Sequence, residues 1–270
     1  MRICTLGDLI LDVVVLPERA LAPDGDTPAT IRLTAGGQAA NVAAWAGVLG
    51  ADARLICKRG SDGASALAAA ELGRLGVQVR GPVVEGRGGV VVSVRNTHGE
   101  RTMASDRGVA STLDPSDLDP AWLESCDVLH VSGYCLLREA MARAAIAAAR
   151  LAPRVTVDLA SAHDIALVGA RPFAARLAAL GPDLAFATEA ERAAVPGFDT
   201  AWVIKQGARG ARFPEGEYPA HAVEVIDTTG AGDALAAGYL VGGPARAMEA
   251  AARCVGLVGA MPPGAMPPGA

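Results

Sequence analysis

The 270 residues can bury a sizeable core, as one large domain or one domain with a small appendage. A formal net charge of −5 argues against a nucleic-acid binder that works by bulk electrostatics, and although 51% of residues are hydrophobic, no uncharged apolar run is long enough to span a bilayer. The first apolar stretch carries Asp8 and Asp12, unlike a signal peptide, and the five cysteines form no C-x-x-C pair and no zinc-like spacing with histidine. They read as reduced, mostly buried thiols of a cytoplasmic protein.

Residues 2–16 read as one strand, interrupted by Asp8 and Asp12. Charges rarely sit unpaired in a buried strand. Each could close a turn or strand end; for Asp12 the favoured reading is a carboxylate that accepts hydrogen bonds from ligand hydroxyls. Residues 29–35 alternate as a strand with one wet face. Gly36, Gly37 and Gln38 then lead into a helical run that carries Asn41. Gly37 lets a ligand approach the backbone, and Asn41 can both donate and accept. The plain alternative is a helix start with Asn41 turned to solvent.

A strand over 53–58 precedes Gly60, Asp62 and Gly63, and Asp62 reads as the N-cap of a helix ending near Leu75. Residues 82–105 read as a hairpin turning at His98, Gly99 and Glu100. With 13–16 and 29–35 it would make a small sheet outside the main pattern. Arg101, Asp106 and Arg107 are its charges best placed to reach a substrate or partner, or simply to be solvated.

From 110 onward strands (127–132, 154–158, 183–187, 200–205) alternate with helices (137–151, and on to about 180). That rhythm predicts an α/β fold with a mostly parallel central sheet, helices on both faces, and ligands at the strands' C-terminal ends. Asp12, Asn41, Asp158, Glu191, Lys205 and Asp233 fall there. Gly207 and Gly210 form a turn after Lys205.

Residues 221–226 have strand character and stop at Asp227; Thr228, Thr229, Gly230, Ala231 and Gly232 follow, and Asp233 opens an alanine-rich helix. The first amides of a helix lack internal partners and, with the helix dipole, suit an anion. A carboxylate there would repel a phosphate unless it takes a proton from the attacking group. The alternative is an N-cap. The last twelve residues, 259–270, repeat Ala-Met-Pro-Pro-Gly and read as a low-complexity surface tail.

The run Asp227-Thr-Thr-Gly-Ala-Gly-Asp233, with Gly36, Gly37 and Asn41 near the other end, resembles the signatures of the PfkB, or ribokinase-like, carbohydrate kinase family. The resemblance covers nearly the whole chain and implies a single ribokinase-like domain over 1–270. A small β-sheet lid would be formed by about 13–35 and 82–105, and in the family it often makes a homodimer interface.

It further implies ATP-dependent phosphorylation of a hydroxyl on a small sugar or sugar-like substrate. Asp12, Gly36, Gly37, Asn41 and Arg101 would hold the acceptor, Gly230, Ala231 and Gly232 would form an anion hole, and Asp233 would be the base. Thr188, Lys205, Gly207 and Gly210 would face ATP. Glu191 would order Mg2+ through waters, although Thr188 stands where the family's Asn-x-x-Glu motif has asparagine. Many relatives use K+ beside the loop, and Asp227 and the Thr229 carbonyl are the matching positions. A nucleoside kinase of the same fold and a non-catalytic metabolite binder stay open. A Rossmann oxidoreductase lacks support, because no G-x-G-x-x-G follows the first strand.

Overall fold

The computed structural model describes residues 1–95, 101–159 and 161–263. The first half runs β1 (Arg2–Leu6), β2 (Ile10–Pro17), β3 (Ala29–Gly36), α1 (Gln38–Val48), β4 (Asp52–Ile56), β5 (Arg59–Gly60), α2 (Gly63–Arg74), β6 (Gln78–Arg80), β7 (Val83–Val84), β8 (Gly89–Arg95) and β9 (Arg101–Asp106). The second half runs β10 (Val128–Ser132), α3 (Glu139–Ala149), β11 (Val155–Asp158), α4 (Ala162–Val168), α5 (Ala170–Leu180), β12 (Leu184–Thr188), α6 (Glu189–Ala193), β13 (Ala201–Lys205), β14 (Ala211–Phe213), β15 (Gly216–Tyr218) and α7 (Ala231–Val255).

A nine-stranded sheet in the order β15-β14-β13-β12-β11-β10-β1-β4-β6 forms the body; it is parallel from β13 to β6 and antiparallel at β14 and β15. Side chains alternate across it, as the period of a strand requires. Ile3, Val128, Leu184 and Phe186 enter one core with α1, α2 and α7, whereas Leu6, Leu129, Val131 and Ala185 enter another with α3 and α5. Helices therefore cover both faces, as a parallel sheet demands.

The four-stranded sheet β3-β2-β8-β9 lies apart from the body. Its register puts Ile10, Asp12, Val14, Val91, Ser93 and Arg95 on the face toward a cleft, and Val13, Val15, Ile31 and Leu33 on the other. The hairpin turn expected at His98, Gly99 and Glu100 lies outside the described residues.

Four expectations change. Residues 2–16 are two strands in different sheets; the break falls at Asp8, whose carboxylate pairs with Arg107. The helix expected to run to Leu180 breaks at Gly169 into α4 and α5. Residues 221–226 form no strand: β15 already closes the sheet edge, Val223, Val225 and Ile226 are exposed, and the Ile226 and Asp227 amides donate instead to Val255 O. Gly259 donates to Asp227 Oδ2 and Ala260 and Met261 are buried, so the surface tail cannot begin at 259. All five cysteines are free and buried, and Asp62 caps α2 by accepting from Ser65 N.

Candidate active site

Two helix N-termini meet at the cleft. Helix α1 starts at Gly37 with φ 101°, and α7 starts at Gly230 with φ 76°, a region that favours glycine. Neither position has room for a side chain: a Cβ at Gly37 would lie 2.4 Å from Asp8 O, and one at Gly230 2.4 Å from Ala260 Cβ. Gly36 is glycine for another reason, since a Cβ there would lie 2.2 Å from Asp12 Oδ2.

Asn41 Nδ2 donates to Asp233 Oδ2 at 2.7 Å, joining α1 to α7. Asn41 Oδ1 is buried without a partner, an acceptor left unsatisfied beside the cleft. Burial raises the Asp233 carboxyl to about 6 against the pull of Asn41 and Lys205. Burial and the neighbouring Asp8 raise Asp12 to about 7.

Beneath the loop, Lys205 Nζ bonds Asp158 Oδ1 at 2.6 Å. Lys205 also sets the limit at Gly232, where a Cβ would lie 3.3 Å from its Nζ. Asp158 is fully buried, its Oδ2 lacks a partner, and burial lifts it to about 7 although Lys205 opposes the rise. Thr188 and Glu191 form a capping box at the start of α6: Thr188 N donates to Glu191 Oε2 (2.8 Å) and Glu191 N to Thr188 Oγ1 (3.2 Å). Threonine thus keeps the helix start that asparagine would have capped.

Asp227 Oδ1 accepts from Thr229 N (3.0 Å) and Oγ1 (2.6 Å), and its Oδ2 accepts from Gly259 N (3.1 Å). The Thr229 carbonyl accepts from Cys254 Sγ at 3.3 Å.

The cleft, about 320 Å³, brings together Asp12, Gly37, Asn41, Glu191, Lys205, Asp227, Thr229, Gly230 and Asp233. Gly36, Thr188, Gly207, Gly210, Ala231 and Gly232 stand outside its lining, Gly207 and Gly210 in the β13–β14 turn. Arg101 contributes to β9, but its side chain lies outside the described residues. Sequence reasoning missed Arg95, Tyr134 and Ala260, which also line the cleft. The alternation Val91, Ser93, Arg95 could have flagged the first, whereas nothing local marks the other two. Gln38 is a structural bridge, accepting from Ser132 Oγ (2.7 Å) and Gly133 N (3.1 Å).

A second cavity of about 890 Å³ adjoins the first and shares Val91, Met103, Arg107 and Tyr134 with it. Its wall is apolar at Leu137, Met141, Leu167 and Val168 and polar at Asp8, whose buried Oδ1 has no partner. Arg107 reaches both Asp8 and the Tyr134 ring, 4.6 Å from the ring centroid.

Among the described residues no group of three or more His, Cys, Asp or Glu side chains could hold a metal ion. Glu191, in the cleft lining, fits an ion held mainly by nucleotide phosphates and waters, whereas Asp158 lines neither cavity. Among the same residues no helix is long and apolar enough to cross a membrane.

Residues 1–261 match the pfkB family carbohydrate kinases. An ATP-dependent ribose-1-phosphate kinase from Halopiger xanaduensis is 32% identical over 278 aligned positions, covering 94% of this chain and 90% of the relative. Adenosine kinase from Sinorhizobium meliloti superposes with a TM-score of 0.81 at 22% identity, over 96% of this chain and 95% of that one. A candidate ribokinase II from E. coli, solved with ATP and Mg2+, gives 0.80 at 20% identity, over 97% and 94%. These two share the ribokinase-like fold. With the family match spanning nearly the whole sequence, the chain belongs to the PfkB family of carbohydrate kinases and is an ATP-dependent kinase.

Proposed function

We propose that the cleft transfers the γ-phosphoryl group of ATP to a hydroxyl of a ribose-like sugar that carries a substituent at its anomeric carbon. The observation that carries this reading is the Asn41–Asp233 bond (2.7 Å), which sets a base on one helix beside an acceptor-binding amide on the other. Asp12 and Asn41 Oδ1 accept from sugar hydroxyls. Asp233 takes the proton of the attacking hydroxyl as its oxygen bonds to phosphorus and ADP leaves with the other bond. The amides of Gly230, Ala231 and Gly232 face the charge spread over the transferring oxygens. Lys205 stands beneath that loop, and Glu191 would hold waters of a magnesium ion, which would neutralise phosphate charge when bound with ATP.

Two features support the substituted sugar. The larger cavity leaves space beyond a free pentose, and the curated relative acts on ribose 1-phosphate. The same cavity favours a second reading, a nucleoside kinase: its apolar wall and the unpartnered Asp8 Oδ1 suit a base with an N–H donor. A metabolite binder without turnover fits less well, because both glycine-led helix starts and Asp233 meet at one cleft.

Ile31 and Leu33, 60% and 53% exposed, lie with Val13 and Val15 on the outer lid face, which suits a homodimer through the lid. A need for ATP and five free thiols suit the cytoplasm. Potassium would meet Asp227 and the Thr229 carbonyl, which are already engaged, so exchanging it for sodium should change turnover little.

The test is ADP release from ATP-Mg against free sugars, sugar 1-phosphates and nucleosides. Acceptor-dependent release lost in Asp233→Asn supports the reading. Melting shifts with acceptors but no release would move the assignment to a binding protein.

A further inference from the structure

Arg95 ends the lid strand β8 on its cleft face. Its Nη2 donates to Ile226 O at 3.2 Å, and its Nη1 lies 3.7 Å from Asp227 Oδ2. The Asp227 side chain is only 6% exposed, and that of Arg95 is 20% exposed. A carboxylate so enclosed needs compensation by a cation and hydrogen bonds. Asp227 in turn anchors two segments: it holds Thr229 through N and Oγ1, and Gly259 through N. Thr229 precedes Gly230, and Gly259 precedes Ala260, the residue on which Gly230 packs. One carboxylate therefore ties down both sides of the α7 start, and the Arg95 guanidinium, from another sheet, lies against it.

We propose that Arg95 is a positioning residue for phosphoryl transfer: a cation carried by the lid that holds Asp227 and so keeps the Gly230–Asp233 turn in register with the lid. The inference rests on that turn being the anion hole. Arg95 lines the cleft without being needed to bond the acceptor, so its loss should appear in kcat rather than in acceptor KM. A displacement of about 1 Å in such a turn can cost on the order of 10²-fold in rate.

The experiment compares wild type with Arg95→Met and Arg95→Lys, using ATP-Mg and the acceptor that drives ADP release in wild type. We expect Arg95→Met to lose roughly 10- to 100-fold in kcat with acceptor KM changed less than about threefold. Arg95→Lys should recover part of the loss, and guanidinium chloride or potassium chloride should restore Arg95→Met while leaving wild type unchanged. Normal kcat in Arg95→Met, or a loss that neither cation relieves, overturns the proposal.

A second measurement needs no turnover. Amide hydrogen exchange across 226–234 should quicken in Arg95→Met while the amides of α1 keep their wild-type rates. Unchanged exchange at 226–234 overturns the tie itself. An inactive wild type whose exchange still responds to the substitution would instead count against the acceptor assignment.

Discussion

Helices α1 and α7 both begin at a glycine with positive φ, and each glycine presses against backbone or Cβ atoms of another segment. Their N-termini meet, yet they present different groups. Helix α1 offers Asn41, neutral and with one oxygen unpartnered; α7 offers Asp233, a carboxyl lifted to about 6 by burial. Under the proposed function, two similar backbones would divide the work: one side would recognise, and the other would take a proton. That division would follow from side-chain chemistry, because both ends are helix N-termini with the same sense of dipole.

The largest expected effect breaks the α7 side. Asp233→Asn should lower kcat by about 10²–10⁴ with acceptor KM nearly unchanged, since the amide still accepts from Asn41 but takes no proton. Steady-state kinetics check this. The same variant has a stability signature. A carboxyl whose folded pKa is raised stabilises the fold while protonated, and that contribution is lost as pH rises toward the folded value. At pH 8 Asp233→Asn should therefore melt above wild type, and the gap should narrow toward pH 4 in thermal scans.

The two glycines sharpen the comparison next. Gly230→Ala meets Ala260 and an unfavourable φ, and should cost roughly 10²-fold in kcat by shifting the proposed anion hole. Gly37→Ala is strained in the same way against Asp8 O, but it should act mainly on acceptor KM. If both substitutions changed the same kinetic constant, the division between the two loops would be wrong.

Asn41→Ala probes the seam itself. Losing a hydrogen bond to a charged group and an acceptor for the sugar costs about 1–3 kcal/mol, or roughly 5- to 150-fold in acceptor KM. Wild-type kcat should rise with pH through about 6, as Asp233 loses its proton, and level off above. Asn41 lowers the Asp233 pKa, so Asn41→Ala should move that limb upward, and Asp233→Asn should abolish it. A pH–rate series on the three proteins decides the matter.

Much of this arrangement could be read from the chain. Glycine pairs before helices, with Asn41 and Asp233 just inside, announce themselves by residue type. The lid strands show a period of two, and the parallel sheet shows the β-α rhythm. What failed depended on distant partners. Residues 221–226 alternate like a strand, but the sheet edge they would join is closed by β15. Arg95 looks like a solvated strand-end charge until Asp227, 132 residues later in the chain, comes beside it. The glycine- and proline-rich end looks like a free tail, yet Ala260 O accepts from Trp45 Nε1 at 2.8 Å across a separation of 215 residues.

That last bond gives the smallest expected effect. Trp45 lies on α1 and is fully buried, and Ala260 supports Gly230 at the start of α7, so the tryptophan braces the opposite helix through the chain end. Trp45→Phe keeps most of the apolar volume but leaves a buried carbonyl without its donor. The cost should be about 1–3 kcal/mol in urea unfolding, with kcat reduced a few-fold at most. If Ala260 matters only as filling, kcat and stability should fall independently in variants at 45 and 260. If it braces the anion-hole turn, Trp45→Phe should lower kcat with acceptor KM unchanged, the signature of the α7 side appearing from a residue on α1.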